Sequence, residues 1–157
     1  MRVGFGYDVH QLRDGFDFWL GGIKIPHIKG AVGHSDADVL THTICDALLG
    51  AANLGDIGKH FPDNSEEFRG IDSKILLKKV VSLIYDNGYK IVNIDSTICL
   101  QSPKISSYTE EMKKVLSECM KIGVNDISIK ATTTEKLGFV GMEKGVSSYS
   151  VVLIEKI

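Results

Sequence analysis

The sequence is poor in residues that staple or interrupt a chain: 3 cysteines and 3 prolines stand among 157 residues. Cys45, Cys99 and Cys119 are odd in number and far apart, and none sits in a CxxC or CxH spacing. A disulfide framework and a cysteine-built zinc knot are therefore excluded as the basis of the fold, and the three thiols are expected to be reduced and packed in the core. Pro26, Pro62 and Pro103 are scattered, no stretch is low in complexity and no repeat recurs, so nothing marks a linker and residues 1–157 are expected to form one domain. No apolar run approaches the ~20 residues of a membrane span. With 18 Lys and Arg against 20 Asp and Glu there is no basic excess to meet a phosphate backbone. The expectation is a soluble, cytoplasmic chain with neither nucleic acid nor membrane as partner.

Periodicity organises the rest. Met1–Gln11 reads as a strand, and Phe18–Leu20 and Ile23–Ile25 flank Gly21-Gly22 in the pattern of a glycine-turn hairpin. Ser35 with Asp38 three residues on resembles a capping box, and Val39, Ile44, Ala47, Leu48 and Ala51 carry a helical stripe up to Gly55. Asp72 predicts the N-cap of a second helix that ends near Asn87, with Gly88 just beyond. Tyr89–Leu100 alternates as a half-buried strand, with Val92, Ile94, Ser96 and Ile98 on one side. Tyr108–Ile122 reads as a third helix stopped by Gly123, and Ile127–Thr132 and Val146–Ile157 return as strands. This order predicts an α/β (α+β) sandwich, a mixed β-sheet with helices packed on one face.

Asp8 and His10 lie two apart in a strand, so both side chains point into one volume. His34, Asp38, His42 and Asp46 recur every four residues, a polar ridge beside the apolar stripe of the first helix. Such a ridge can be a solvated face, although Lys and Glu would serve that purpose better. Asp8, His10 and His42 would supply three ligands with a fourth position open, the arrangement of catalytic zinc, and Asp46 would orient His42 from behind. The segment Gly55–Asp63 joins glycines, whose amides can approach a phosphate or sugar, to Asp56 and Asp63, which accept hydroxyl hydrogen bonds. Lys130–Phe139 places Thr132, Thr133, Thr134 and Glu135 at a strand end, where hydroxyls can meet diphosphate oxygens and a carboxylate can hold a hard cation.

Five blocks together resemble the 2-C-methyl-D-erythritol 2,4-cyclodiphosphate synthase family: Gly6-Tyr-Asp-Val-His10, His34-Ser-Asp-Ala-Asp-Val, Asp46-Ala-Leu-Leu-Gly-Ala-Ala, Gly55-Asp-Ile-Gly-Lys-His-Phe-Pro-Asp63 and Lys130-Ala-Thr-Thr-Thr-Glu-Lys-Leu-Gly-Phe139. They stand in the family's order and cover nearly the whole chain. The resemblance implies one catalytic domain that assembles as a homotrimer with active sites between subunits. It implies conversion of 4-diphosphocytidyl-2-C-methyl-D-erythritol 2-phosphate to the cyclic diphosphate and CMP, in non-mevalonate isoprenoid precursor synthesis. Asp8, His10 and His42 fall on the family's Zn²⁺ ligands, one ion per subunit, and Glu135 on the ligand of a second cation, Mg²⁺ or Mn²⁺, that comes with the substrate. His34 and Thr133 match transition-state stabilisers.

For substrate binding the resemblance points further to Asp8, His10, His34 and Ser35, to Asp56, Ile57 and Gly58, and to Phe61, Pro62, Asp63, Asn64 and Ser65. Leu100, Pro103, Lys104, Ile105 and Ser106, with Thr132, Thr133, Thr134, Glu135 and Phe139, match the cytidine diphosphate side of the site, contributed across the interface. Met142 and Tyr149 stand where many members carry Arg and Glu facing the central trimer cavity, which removes the charges for binding an isoprenoid diphosphate there. The expected nucleophile is the substrate's own 2-phosphate, which agrees with the absence of a Ser or Cys nucleophile motif. Two rival readings fit some of the same residues: a zinc phosphoesterase, which would take up water and give a linear product, and a metal-stabilised trimeric scaffold, which would release no CMP.

Overall fold

The strand expected at the N-terminus extends beyond Gln11 in the computed structural model, which describes residues 1–157: β1 is Arg2–Asp14. Its extra residues are held by β4 (Lys29–Val32), with Gln11 to Asp14 opposite Val32 to Lys29. Lys-Gly-Ala-Val is too short to carry a period, so β4 gives no signal in the sequence. Between them, β2 (Phe18–Leu20) and β3 (Ile23–Ile25) form the expected hairpin, with Gly21 and Gly22 both at positive φ in its turn. Next come α1 (Val39–Ala51), α2 (Ile57–His60), α3 (Ser73–Asp86), β5 (Tyr89–Cys99), α4 (Thr109–Met120), β6 (Ile127–Thr132), α5 (Gly138–Gly141) and β7 (Gly145–Lys156). The main sheet has the order β4-β1-β7-β5-β6, with β5 and β6 parallel and the other pairs antiparallel. This is the expected mixed α+β arrangement. The longer helices α1, α3 and α4 cover one face of the sheet, and one cluster of 34 buried residues lies between the layers.

Three local expectations are corrected. Asp38, not Ser35, caps α1: its Oδ1 accepts the Thr41 amide at 3.0 Å, and its two oxygens accept the amides of Gly21 at 2.9 Å and Gly22 at 2.6 Å. A carboxylate satisfied by three amides can be fully buried, so Asp38 ties the hairpin to α1 instead of continuing a polar ridge. The stop of α4 is Lys121 in the left-handed conformation at φ 58°, two residues before Gly123, because an exposed lysine tolerates that geometry at modest cost. A bulge between Ile91 and Asn93 shifts the phase of β5, so Ile94, Ser96 and Ile98 face the core while Val92 does not. Cys45 and Cys119 are buried as expected, but Cys99 is only half-buried.

Alternation along β1 then fixes the site. Gly4, Gly6, Asp8, His10 and Leu12 all face α1, while Val3, Phe5, Tyr7 and Val9 point away from the helices. The two glycines let the helix backbone rest directly on the strand: a Cβ at Gly4 would run into the Ala47 carbonyl oxygen, and one at Gly6 into that of Thr43. At Gly6 only backbone lies in the way, so nothing can rotate aside. Gly6→Ala is therefore expected to lower stability by about 2–3 kcal/mol, as a loss in the denaturation midpoint at unchanged slope. A variant as stable as wild type would show that the helix does not sit where it is drawn.

Candidate active site

Three donor atoms converge where β1 meets α1. Asp8 Oδ2 lies 3.0 Å from His10 Nε2 and 3.2 Å from His42 Nδ1, and the two ring nitrogens are 3.2 Å apart. The trio forms a group able to hold a metal ion. Tetrahedral Zn²⁺ with bonds of about 2.0–2.1 Å sets its donors roughly 3.3 Å apart, so the donors fit such an ion with little adjustment. The rings are also turned correctly. His10 Nδ1 can only donate to the Val32 carbonyl, 3.1 Å away, which leaves the Nε2 lone pair for the shared point.

Without an ion, a proton takes part of its place. Burial pushes the Asp8 carboxyl up, but on the acid side, where the rings are charged, hydrogen bonds from His10 and His42 and their charges outweigh it and hold the group well below the ordinary carboxylate range. For His10, burial favours the neutral ring, while the bond to Asp8, its charge and the Val32 carbonyl raise its pKa overall. Asp8 thus adds stability to the metal-free chain above the ordinary carboxylate pKa, lost as pH falls through its lowered value. His10 adds stability that is complete below about 6.5 and lost as pH rises through its raised value.

The trio opens into a cavity of about 300 Å³ lined by His34, Ser35, His42, Ile57, Gly58, Phe61, Asp63, Phe68, Ile71 and Leu76. Six of these, besides His42, are residues that the sequence resemblance singles out; Phe68, Ile71 and Leu76 are not, because an apolar side chain in a loop or on a helix carries no chemical signature. His34 precedes α1 and is oriented by the Ser65 carbonyl at 3.0 Å from its Nε2. Asp56 caps α2 through the Lys59 amide at 2.9 Å and, although exposed, does not line the cavity. Pro62, Asn64 and Ser65 belong to the loop after α2 but do not line the cavity. Asp46 does not orient His42: its Oδ1 accepts the Ile57 amide at 2.7 Å and so anchors α2 to α1, and burial raises its pKa against that bond. The atoms next to His42 Nε2 are instead the hydroxyls of Ser73, at 2.8 Å, and Ser35, at 3.1 Å.

A second cavity, about 160 Å³, sits past the ends of β5 and β6 and is lined by Leu100, Gln101, Pro103, Lys104, Ile105, Ser106, Ala131, Thr132 and Thr133. The two cavities share no residue. Thr134, Glu135 and Phe139 line neither. Glu135 is exposed at φ 52°, its amide 3.3 Å from Thr133 Oγ1, and Thr134 Oγ1 donates to the Leu137 carbonyl at 2.7 Å. Phe139 lies exposed in α5. The single chain thus brings Asp8, His10 and His42 together with the cavity of His34, Ser35, Ile57, Gly58, Phe61 and Asp63, and keeps Leu100–Ser106, Thr132 and Thr133 in a separate place.

Comparison with known proteins agrees with this geometry. The family model described as YgbB family matches residues 1–155. The chain is 62% identical over 157 residues to a Bacteroides fragilis protein named 2-C-methyl-D-erythritol 2,4-cyclodiphosphate synthase, covering 100% of this chain and 99% of that one. Among solved structures, bifunctional IspDF from Campylobacter jejuni superposes with a TM-score of 0.96 at 37% identity, over 99% of this chain and 42% of that one. IspF from Plasmodium falciparum, solved as a CDP complex, gives a TM-score of 0.87 at 35% identity, over 99% of this chain and 96% of that one.

Because a metal must displace the proton that His10 retains, its apparent affinity is expected to fall by about tenfold per pH unit as pH drops through the raised His10 pKa. A chelator-competition titration with Zn²⁺ from pH about 8 to about 6 reads this directly. Affinity independent of pH over that interval would mean that the ion binds elsewhere.

Proposed function

This chain belongs to the YgbB family, and from that membership and the geometry of its site we infer that it converts 4-diphosphocytidyl-2-C-methyl-D-erythritol 2-phosphate to 2-C-methyl-D-erythritol 2,4-cyclodiphosphate and CMP, a CMP-releasing lyase reaction of non-mevalonate isoprenoid precursor synthesis. The observation that carries the reading is the double membership of His42, which belongs to the metal-binding trio and also lines the cavity of His34, Ser35 and Gly58. A metal centre is thereby built into the wall of a pocket of a size for a phosphorylated sugar alcohol.

An oxygen of the substrate's 2-phosphate attacks the β-phosphorus, and the bond from that phosphorus to the oxygen bridging to the α-phosphorus breaks, so CMP leaves with that oxygen. Asp8, His10 and His42 would hold Zn²⁺ and Glu135 would hold Mg²⁺ or Mn²⁺, and these ions would supply charge neutralisation to the reacting phosphates. The side chains have the task of folding the substrate for an in-line approach. Ser35 and the amide of Gly58 face the methylerythritol phosphate beside the Ile57 side chain, Asp56 and Asp63 accept from its hydroxyls, and Phe61 flanks it with the loop of Pro62, Asn64 and Ser65 behind. His34, set by the Ser65 carbonyl, and Thr133, whose hydroxyl can donate to a phosphoryl oxygen, stabilise the transition state. Leu100, Pro103, Lys104, Ile105, Ser106 and Thr132 take the cytidine end, with Thr134 and Phe139 beside them.

Residues 1–157 act in this reading as one catalytic domain within a homotrimer, with each active site completed by a neighbouring copy. Two features support it. The nucleotide-side cavity and the metal-side cavity share no residue within one chain. The helix-free face of the sheet exposes Val3 (68%), Phe5 (62%), Tyr7, Val9, Tyr149 and Val151, with the rings of Tyr7 and Tyr149 5.0 Å apart. An apolar face of this kind is covered in a stable protein, and further copies of the same sheet cover it most simply. No helix is long and apolar enough to cross a membrane. Cytoplasm is the compartment assigned, and free Cys45, Cys99 and Cys119 suit its reducing conditions.

Phosphorus NMR of the product made from the cytidyl substrate tests the reaction: a cyclic diphosphate together with CMP is expected, and a linear phosphate would favour the hydrolase reading. In the same assay Glu135→Gln, which keeps size and one acceptor oxygen but loses the charge, is expected to cut cyclisation at least about tenfold at ordinary Mg²⁺ while Zn²⁺ stays bound. Wild-type turnover in that variant, or loss of its Zn²⁺, would contradict the two-cation assignment.

A further inference from the structure

A hydrogen-bonded path runs behind His42 that the reaction as described does not use. Ser73 is the first residue of α3 and is fully buried. Its amide donates to Asp36 Oδ2 at 3.0 Å, and its hydroxyl donates to Asp36 Oδ1. The other face of the same hydroxyl meets His42 Nε2 at 2.8 Å. Asp36 is itself held, its amide donating to the Ile71 carbonyl at 3.1 Å while the Gly70 amide reaches the His34 carbonyl at 2.7 Å. The turn before α1 and the turn before α3 are therefore locked together at the back of the metal-side cavity.

We propose that Asp36 and Ser73 are positioning residues that set the tautomer of His42, so that its Nδ1 lone pair points at the shared point of Asp8 and His10. The argument is one of donor and acceptor count. A carboxylate only accepts, and a serine hydroxyl has a single hydrogen. Once that hydrogen goes to Asp36, Ser73 offers His42 nothing but lone pairs, and Nε2 must carry the ring proton. Neutral imidazole has one N–H, so Nδ1 is left bare, 3.2 Å from both Asp8 Oδ2 and His10 Nε2. Lone pairs facing one another at that distance repel unless a cation stands between them, so the path holds the site ready for the ion before it arrives.

The same count reaches Ser35. Its oxygen accepts from the Ala37 amide at 3.2 Å and lies 3.1 Å from the Nε2–H of His42. With Nε2 already a donor, the Ser35 hydrogen is free to turn into the cavity that Ser35 lines, toward a ligand oxygen. His10 reaches the equivalent tautomer by a different device, the Val32 carbonyl. The two ligand rings are thus fixed independently, one by backbone and one by a serine–carboxylate pair.

The proposal rests on the metal-site reading of the trio, and its first test is independent of both turnover and metal. In the metal-free full-length protein, at a pH where the rings are neutral, ¹⁵N-detected imidazole shifts should place the His42 proton on Nε2 in wild type. In Ser73→Ala, with only Ser35 beside Nε2, the two tautomers should mix. Zn²⁺ affinity, titrated with the ion alone, should fall about 10- to 100-fold in Ser73→Ala and return to within about threefold of wild type in Ser73→Thr, which keeps the hydroxyl. A wild-type His42 protonated on Nδ1, or a Ser73→Ala protein with unchanged tautomer and affinity, would overturn the proposal. Failure of cyclisation with intact tautomer and Zn²⁺ binding would instead count against the assigned reaction and leave this inference standing.

Discussion

The close approach of α1 to β1 is the constraint on which the site depends. Strand alternation sets Gly4, Gly6, Asp8 and His10 on one face, and the two glycines remove the side chains that would hold the helix away. With the helix backbone seated on the strand, His42 in the first turns of α1 reaches the level of Asp8 and His10, and the three donor atoms come within 3.2 Å of one another. A helix at the usual distance from a sheet, about 10 Å, would leave room for a layer of side chains there and no metal centre. Asp38 fixes the same helix along its axis by binding its N-terminus to the Gly21-Gly22 turn. Backbone packing, capping and ligand geometry are thus one arrangement.

The two faces of the sheet divide the labour. The helix side holds the core, the trio and the cavity beside His42, whose loop is anchored by Asp46 to the Ile57 amide and by His34 to the Ser65 carbonyl. The opposite side exposes the apolar side chains of β1 and β7. Association in this account is not an addition to a finished enzyme. In the proposed trimer, burying the outer face also brings a neighbour's Leu100–Ser106 and Thr132–Glu135 segments to the metal side, and the proposed reaction needs both.

Much of this could be read from the sequence wherever one element carried its own period. The hairpin, α3 with its Asp72 cap, β5, β6 and β7 lie where alternation and helical spacing placed them, and the shared face of Asp8 and His10 follows from a spacing of two. His42 was reached through a four-residue ridge that does not exist as such: His34 precedes the helix, Asp38 is a buried cap and Asp46 anchors α2. His42 does stand with Asp8 and His10 in a group able to hold a metal ion, although two of its companions have other tasks. What stayed hidden depends on chain segments distant in sequence. β4 and α2 are four residues each and carry no period. The roles of Gly4 and Gly6 appear only once the helix lies on them, and Ser73 next to His42 requires a contact between residues 31 positions apart. The relatives place the chain in its family, while the roles of individual side chains rest on local geometry.

The central claim is that the working site is assembled from two copies, the metal side of one and the nucleotide side of another. The most direct measurement is activity in trimers formed by co-expressing His42→Ala and Glu135→Ala chains in equal amounts, each variant being inactive alone. If sites form between subunits, random assembly pairs an intact metal side with an intact nucleotide side in about a quarter of them, and about a quarter of wild-type turnover returns. If each chain contained its whole site, every site would carry one lesion and the mixture would be as inactive as its parents.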